Sequence, residues 1–321
     1  MSRITVKDLA RLCGVSIGTI DRAINDRGGI NPDTKKKILD AAAEYGFVKN
    51  QSAISLSLGK PNLIGVIMTD LKTEFVTTMM TAIESEASAR GYSTLIMLSN
   101  YSPERERGCV ERMRSMNLAG LIVFPVISEP DYYLNIMKTG VPVVTVANRV
   151  EGIPYIGIDD RMAMRRGTEF VISRGYRRLI YIAPLLEKAG RENITAQSLR
   201  YEGFLEASEG VGREIISDRP AYKKLLASLE AGELPDGERT ALICPSDAYT
   251  IACLPLIGKR LGIMGFDRLQ TIGRLIPELA GVVYPTSDIG KAAAKFVLTQ
   301  NGGESPAETL LPFEIVEGET I

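Results

Sequence analysis

The chain has 321 residues, 45% hydrophobic and 24% charged, with a formal net charge of −1 and no histidine. That length allows two or three domains with full cores, and the missing histidine removes Ser–His and Cys–His catalysis and histidine-held metals. Residues 1–60 hold ten Lys/Arg against six Asp/Glu, a charge of +4 that leaves −5 for the rest, a split that fits a polyanion-binding head on an acidic body and that chance clustering of charge would also give.

Cys13, Cys109, Cys244 and Cys253 are scattered in apolar surroundings without CxxC or metal-ligand spacing, which predicts buried free thiols in a reducing compartment. The N-terminus has no secretory h-region and no apolar run approaches the ~20 residues of a bilayer span. The expectation is a cytoplasmic, nucleoid-associated chain with no membrane partner, no metal and no cofactor.

Taken in order, Thr5-x-x-Asp8 opens a first helix as a capping box, with an acid in the first turn to suit the helix dipole. Val6, Leu9, Ala10 and Cys13 share one face, and Gly14 supplies a turn. Ser16 caps a second helix whose Ile20, Ala23 and Ile24 face inward. Gly18, Asp21, Arg22 and Asn25 share its other face at helical spacing. Asn31 caps a third helix with Pro32 at its first position, an apolar stripe of Ile38, Leu39, Ala42 and Tyr45, and Gly46 at its end. The pattern fits a helix-turn-helix head; alone it fits equally a fragment of a larger domain with a solvated polar face.

The run ITVKDLARLCGVSIGTIDRAIN, then INPDTKKKILDAAAEYGF, then residues 50–56, closely resembles the head of the LacI family of bacterial repressors. The resemblance implies that Ile17 and Gly18 read bases in the major groove. It places Ser16, Thr19 and Arg22 at backbone or base contacts and Asn25 near a phosphate, chemistry that arginine and hydroxyl groups can perform. Residues 50–58 resemble the family's hinge helix, with Asn50 as cap, Ala53 within it and Leu56 as the wedge entering the minor groove. So short a helix is marginal alone and is expected to fold when paired with its twin on DNA. The implied DNA-binding set is Thr5, Ser16, Ile17, Gly18, Thr19, Asp21, Arg22, Asn25, Asn50, Ala53 and Leu56. Asp21 stands where the family usually has Ser; it repels phosphate unless it pairs with Arg22 or accepts from a cytosine amine. Gly18 offers no side chain at a specificity position, and Ile54 replaces a frequent Arg.

After Gly59-Lys60-Pro61, apolar runs alternate with helical segments. Strands are predicted at 63–68, 94–98, 120–124, 143–146, 156–159, 179–183, 241–244, 263–266 and 281–284, with helices between, for example at 75–90, 103–116 and 161–174. Runs this apolar suit parallel strands covered on both faces, and the count gives two α/β lobes. Ligands in such sheets bind beyond the carboxyl ends of the strands. Those positions hold Asp70, Glu74-Phe75, Ser99-Asn100-Tyr101, Asn148-Arg149, Asp159-Asp160, Ser246-Asp247, Asp267-Arg268 and Tyr284. Acids, amides and Arg interleaved with aromatics suit a neutral polyhydroxylated ligand, although each alone also reads as a helix cap.

The same family resemblance extends to about residue 300. Ser198-x-Arg200-x-x-Gly203-Phe204 matches a motif whose Arg bonds the effector, Pro245-Ser246-Asp247 stands for an Asn-Asp pair, and Gly265-Phe266-Asp267 matches Gly-Phe-Asp. The implied effector set is Asp70, Phe75, Asn148, Asp160, Arg200, Asp247, Asp267 and Tyr284. The segment from Asp247 to Gly265 is shorter than in typical members, which implies a trimmed second lobe.

The expected fold is therefore an all-α helix-turn-helix head (1–49) with a hinge helix (50–60), joined to a two-lobed α/β core of parallel, Rossmann-like sheets resembling periplasmic binding proteins (61–321). Lobe 1 takes about 61–159 plus 286–312 and lobe 2 about 160–285. The expected function is a homodimeric or larger sequence-specific repressor of double-stranded operator DNA, controlled by a sugar-like effector between the lobes. Alternatives are a nucleobase-type ligand or protein partner for the same regulator, or a stand-alone sugar-binding protein. An enzyme is disfavoured, since the chain lacks a Gly-rich nucleotide loop and any acid pair with a catalytic partner.

Overall fold

The computed structural model describes residues 4–47, 61–233, 239–256, 261–267, 270–299 and 307–321. The chain divides into two compact units, Met1–Lys60 and Pro61–Ile321.

In the first unit, α1 (Val6–Cys13) starts with the reciprocal Thr5–Asp8 capping box and ends at Gly14, whose φ of 66° is the left-handed geometry glycine adopts without strain. Ser16 caps α2 (Ile17–Ile24) and Asn31 caps α3 (Pro32–Glu44), each side chain accepting a backbone N–H of the first turn. Leu9, Ala10, Cys13, Ile20, Ala23 and Ile38 close a small core. Leu39 and Tyr45 are 43% and 50% exposed, so the stripe expected along α3 narrows to Ile38 flanked by half-buried Ala41 and Ala42. Three short helices enclose too little volume to bury every apolar residue. The hinge residues 50–58 lie outside the described residues.

The second unit holds two sheets of six described strands. In the first, β1 (Leu63–Met68), β2 (Ser93–Leu98), β3 (Leu118–Val123), β4 (Val143–Val146) and β5 (Tyr155–Gly157) are parallel, in the order β5-β4-β3-β1-β2. In the second, β6 (Arg178–Ile182), β7 (Gly212–Ile216), β8 (Thr240–Ile243), β9 (Gly262–Gly265) and β10 (Ala280–Val283) are likewise parallel, in the order β10-β9-β8-β6-β7. Glu308–Leu310 joins the first sheet beside β5, and Glu314–Val316 pairs antiparallel to β10 in the second. Among the described residues the chain thus passes between the sheets three times: after β5, after β10, and between these last two strands. Helix Thr286–Thr299 packs on the first sheet and helix Glu74–Ala89, although it follows the last long strand of the second. Strands such as Val143–Val146 and Thr240–Ile243 are buried along their whole length, which is why they read as unbroken apolar runs. Beyond β8, helix Asp247–Cys253 and one 3-10 turn at Leu254–Leu256 precede β9. All four cysteines are buried and free, and among the described residues no helix is long and apolar enough to cross a membrane.

In the second lobe, helices Asp160–Ser173 and Thr195–Ala207 pack side by side. Gly203 lies at their closest approach, where an added Cβ would collide with the Arg161 carbonyl. Gly203→Ala is therefore expected to force the helices apart and lower unfolding stability by about 1–3 kcal/mol. Urea denaturation of the full chain measures this; an unchanged midpoint would show that the crossing tolerates the methyl group.

Candidate functional site

Two surfaces gather the sequence-derived candidates, one in each unit. On the first, Ser16, Ile17, Gly18 and Arg22 are exposed on α2, with Thr19, Asp21 and Asn25 half-buried beside them. The Ser16 hydroxyl accepts from the Thr19 N–H at 3.1 Å and lies 2.9 Å from the Thr19 hydroxyl, which fixes the start of the helix. Asp21 pairs with Arg27 and Asn25 rather than with Arg22. Its Oδ2 accepts from Arg27 Nη1 at 3.0 Å, and its Oδ1 from Asn25 Nδ2 at 2.6 Å. Asn25 lies one turn on from Asp21 and Arg27 just past the helix end, within reach of the carboxylate, whereas the adjacent Arg22 points away around the helix. Among the described residues the Arg22 side chain has no ion pair or hydrogen bond, and Thr5 is engaged in the capping box. Asn50, Ala53 and Leu56 lie outside the described residues.

On the second unit, a cleft of about 450 Å³ opens beyond the carboxyl ends of both sheets. Its floor is built around Arg200, on helix Thr195–Ala207 and only 7% exposed. Arg200 Nε donates to Asp160 Oδ1 at 2.8 Å, and Nη1 donates to the Pro245 carbonyl at 2.6 Å and to Asp267 Oδ2 at 3.4 Å. The guanidinium carbon sits 3.7 Å from the Phe266 ring centre, a cation–π contact at the edge of the same buried network. Tyr284 donates its hydroxyl to Asp267 Oδ1. Asp267 has φ 59°, a left-handed conformation that an Asp tolerates and that these two partners hold in place.

Electrostatics follow from the packing. Burial opposes the charge on Arg200, but Asp267 and Asp160 outweigh it and hold the guanidinium well above its ordinary value. Burial raises the Asp160 carboxyl although Arg200 pulls it down. Burial and then the charge of Asp267 push Asp247 up to about 6. Burial and Asp267 likewise raise the Tyr284 hydroxyl. At the rim Lys188 pairs with Glu192 at 2.8 Å and Arg219 approaches Glu187 at 3.8 Å, so these cations already have acids beside them. From the first lobe come rings: Phe75 meets Phe124 and Tyr284 edge-on, both at 6.3 Å between centres.

Seven of the eight residues expected at an effector site line this cleft: Phe75, Asn148, Asp160, Arg200, Asp247, Asp267 and Tyr284. Asp70 does not line it; its Oδ1 accepts the Lys72 N–H at 2.9 Å and shapes the turn after β1. Asn148 lines the cleft but spends its amide across it, donating to the Asn193 carbonyl at 2.8 Å and accepting from the Ala196 N–H at 3.1 Å. Sequence reasoning missed Tyr155, Lys188, Asn193, Gln197 and Arg219, all of which line the cleft. Gln197 was within reach, being one helical turn before Arg200 on the same face. Asn193 belongs to the loop ahead of that helix, where no strand-end rule applies.

Residues 5–50 match the model of bacterial regulatory proteins of the lacI family, and residues 62–252 match periplasmic binding proteins and the sugar-binding domain of the LacI family. The second match alone covers more than half of the chain. The chain belongs to the LacI family. It is accordingly a DNA-binding transcriptional regulator, and the family is composed of such regulators. Among its relatives, the ribose operon repressor of Halalkalibacterium halodurans is 25% identical over 98% of this chain and 96% of its own length. The Lac repressor bound to ONPG in its repressed state superposes with a TM-score of 0.82 at 20% identity, over 100% of both chains. The Lac repressor dimer bound to operator and the anti-inducer ONPF gives 0.79 at 20% identity, over 99% of both. This LacI-family member therefore shares the fold of those repressors.

The raised Asp247 carboxyl sets a pH dependence. A folded-state value above the ordinary 3.8 favours the protonated form, so its stabilisation is full below about 4 and lost as pH rises through about 6. Asp247→Asn keeps an acceptor for the Ala248 N–H, which Asp247 Oδ1 binds at 2.7 Å. The variant should gain melting temperature over the parent progressively between these pH values and hold the gain above them. Parallel melting curves with a constant offset would refute it.

Proposed function

We propose that this regulator binds a pseudo-palindromic operator as a dimer and that a neutral, polyhydroxylated small molecule of the sugar class, seated on Arg200, controls its affinity. The observation that carries the effector reading is the charge balance of the cleft floor. Asp160, Asp247 and Asp267 face one guanidinium, which supplies many acceptors for hydroxyl donors and repels an anionic ligand. The rings of Phe75, Phe124 and Tyr284 add an apolar wall suited to the face of a pyranose or furanose. The name of the ribose operon repressor and the operator-bound dimer of the Lac repressor point the same way.

In this reading residues 1–49 are the DNA-binding domain, with Ser16, Ile17, Gly18, Thr19 and Arg22 on the operator and Asp21 neutralised by Arg27. Residues 50–60, with Asn50, Ala53 and Leu56, are the hinge, and 61–321 form the effector-binding and dimerisation core. The protein works on chromosomal DNA in the cytoplasm, without a catalytic role. A ligand shifts DNA affinity only through unequal affinity for two arrangements of the lobes, so the effector must touch both. Arg200 from one lobe and Phe75 from the other meet that requirement.

Selection from a random-sequence DNA library tests the first half: recovery of an inverted repeat supports a dimer on a pseudo-palindrome, and an asymmetric site would refute it. Arg22→Ala should then cost about 1–3 kcal/mol on that site and relax preference at one base pair. Arg27→Ala should weaken all sequences alike by freeing the Asp21 charge. For the effector, thermal shift of the full chain against neutral sugars, sugar acids, sugar phosphates and nucleosides should give stabilisation by a neutral sugar. Arg200→Ala should abolish that response, and a simultaneous loss of effector-free operator binding would mark unfolding of the second lobe around the unpaired Asp160 and Asp267. A response to anionic sugars alone would overturn the charge argument.

A further inference from the structure

Outside the cleft floor, Glu106 is 0% exposed, on helix Pro103–Arg114 of the first lobe. Its Oε2 accepts the Val126 N–H at 2.6 Å, it also takes a hydrogen bond from the Ile127 N–H, and its Oε1 accepts the Tyr133 hydroxyl. Among the described residues no cation forms an ion pair with it. Arg107 is drawn away to Glu129 at 3.2 Å and lies over the Tyr132 ring, and the other titratable groups facing this site are Tyr132, Cys109 and Glu111.

The two N–H groups that bind Glu106 belong to peptide units whose carbonyls accept hydrogen bonds in turn, one of them from the second lobe. Pro125 O, sharing its peptide with the Val126 N–H, accepts from Asn148 Nδ2 at 3.4 Å. Val126 O, sharing its peptide with the Ile127 N–H, accepts the Asn193 N–H of the second lobe at 2.8 Å. Asn193 Nδ2 reaches Ile127 O at 3.4 Å and Arg149 O at 2.9 Å, and Asn148 closes the ring onto the Asn193 carbonyl. A carboxylate on one end of a peptide unit polarises it and strengthens the acceptor at the other end.

We propose that Glu106 is a positioning residue for the lobe–lobe contact: its carboxylate orients and polarises the 125–127 turn so that Asn193 of the second lobe is held against it. The geometry also supplies an alternative state. When Glu106 takes a proton it can donate to Tyr133, whose hydroxyl then turns to Ile127 O, 3.3 Å away and already shared with Asn193. Burial lifts the Glu106 carboxyl to about 7 against the hydrogen bonds from Tyr133, Val126 and Ile127, so both states lie near neutral pH. The inner face of the first lobe thereby carries a proton-dependent grip on the second. It rests on the proposed effector mechanism only for its regulatory meaning.

A double-mutant cycle on the effector-free full chain tests it, so failure of the sugar reading leaves the outcome unaffected. Folding constants of the parent, Glu106→Gln, Asn193→Ala and the double variant are read from urea titrations at about pH 5 and about pH 8. Near pH 8 the two substitutions should be non-additive by about 2-fold or more in the folding constant, the double variant losing less than the product of the singles. Near pH 5 the coupling should shrink. From the sign of the shift, the parent should also lose stability relative to Glu106→Gln, by up to about tenfold per pH unit, as pH rises from the ordinary carboxyl range to about 7. Additive effects at both pH values, or a coupling indifferent to pH, would overturn the assignment and leave Glu106 as a core residue of the first lobe. Should Glu106→Gln fail to fold, Tyr133→Phe takes its place. Removing the hydroxyl that lowers the Glu106 value should move the midpoint of the Asn193-dependent pH profile upward, and an unmoved midpoint would equally refute the proposal.

Discussion

The body of this regulator depends on one buried cation. A guanidinium withdrawn from water is tolerable only when its charge and its donors are answered, and Arg200 is answered by Asp160, Asp267, the Pro245 carbonyl and the face of Phe266. Those partners come from the start of one helix and from the loops after β8 and β9. Arg200 therefore ties the start of helix Asp160–Ser173 to the loops after β8 and β9 at the cleft floor. The close helix crossing at Gly203 lets it arrive there, and the motif Ser198-x-Arg200-x-x-Gly203 reads as a single mechanical unit.

The two lobes divide the work of recognition. In the proposed effector reading the second supplies a polar floor of hydrogen-bonded side chains, and the first supplies the rings of Phe75 and Phe124. A pre-organised floor reduces the ordering cost of binding. Asn148 and Asn193 stitch the lobes at one end of the cleft. In the head, Asp21 follows a similar economy: Arg27 and Asn25 absorb its charge and leave Arg22 unencumbered.

Much of this was legible in the sequence because its signals are local. Caps at Thr5, Ser16 and Asn31, the left-handed Gly14 and the fully buried strands each depend on a few neighbouring residues. Gly212–Ile216, Glu308–Leu310 and Glu314–Val316 escaped because they are short or half-exposed edge strands carrying charged residues, whose pairing is set by distant partners. In the site, the strand-end rule found the floor but could not tell a lining residue from a turn-maker, hence Asp70. Nor could it foresee that the Asn148 amide would be consumed by the opposite lobe. Asn193 and Glu106 are invisible to periodicity, since their importance lies in contacts 20 to 66 residues away along the chain.

The weaving of the chain between the lobes has a consequence for synthesis. The first lobe's sheet is nearly complete by residue 157, yet helix Thr286–Thr299, whose Ile289, Ala293, Ala294 and Val297 bury against it, is made more than a hundred residues later. Until then a nascent chain presents that apolar face of five parallel strands under helix Glu74–Ala89 alone. At ribosomal rates of about 5–20 residues per second that exposure lasts many seconds. A stop codon or proteolytic nick near residue 285 would therefore strip the first lobe of part of its roof, so damage to the last tenth of the polypeptide falls on the half that was made first.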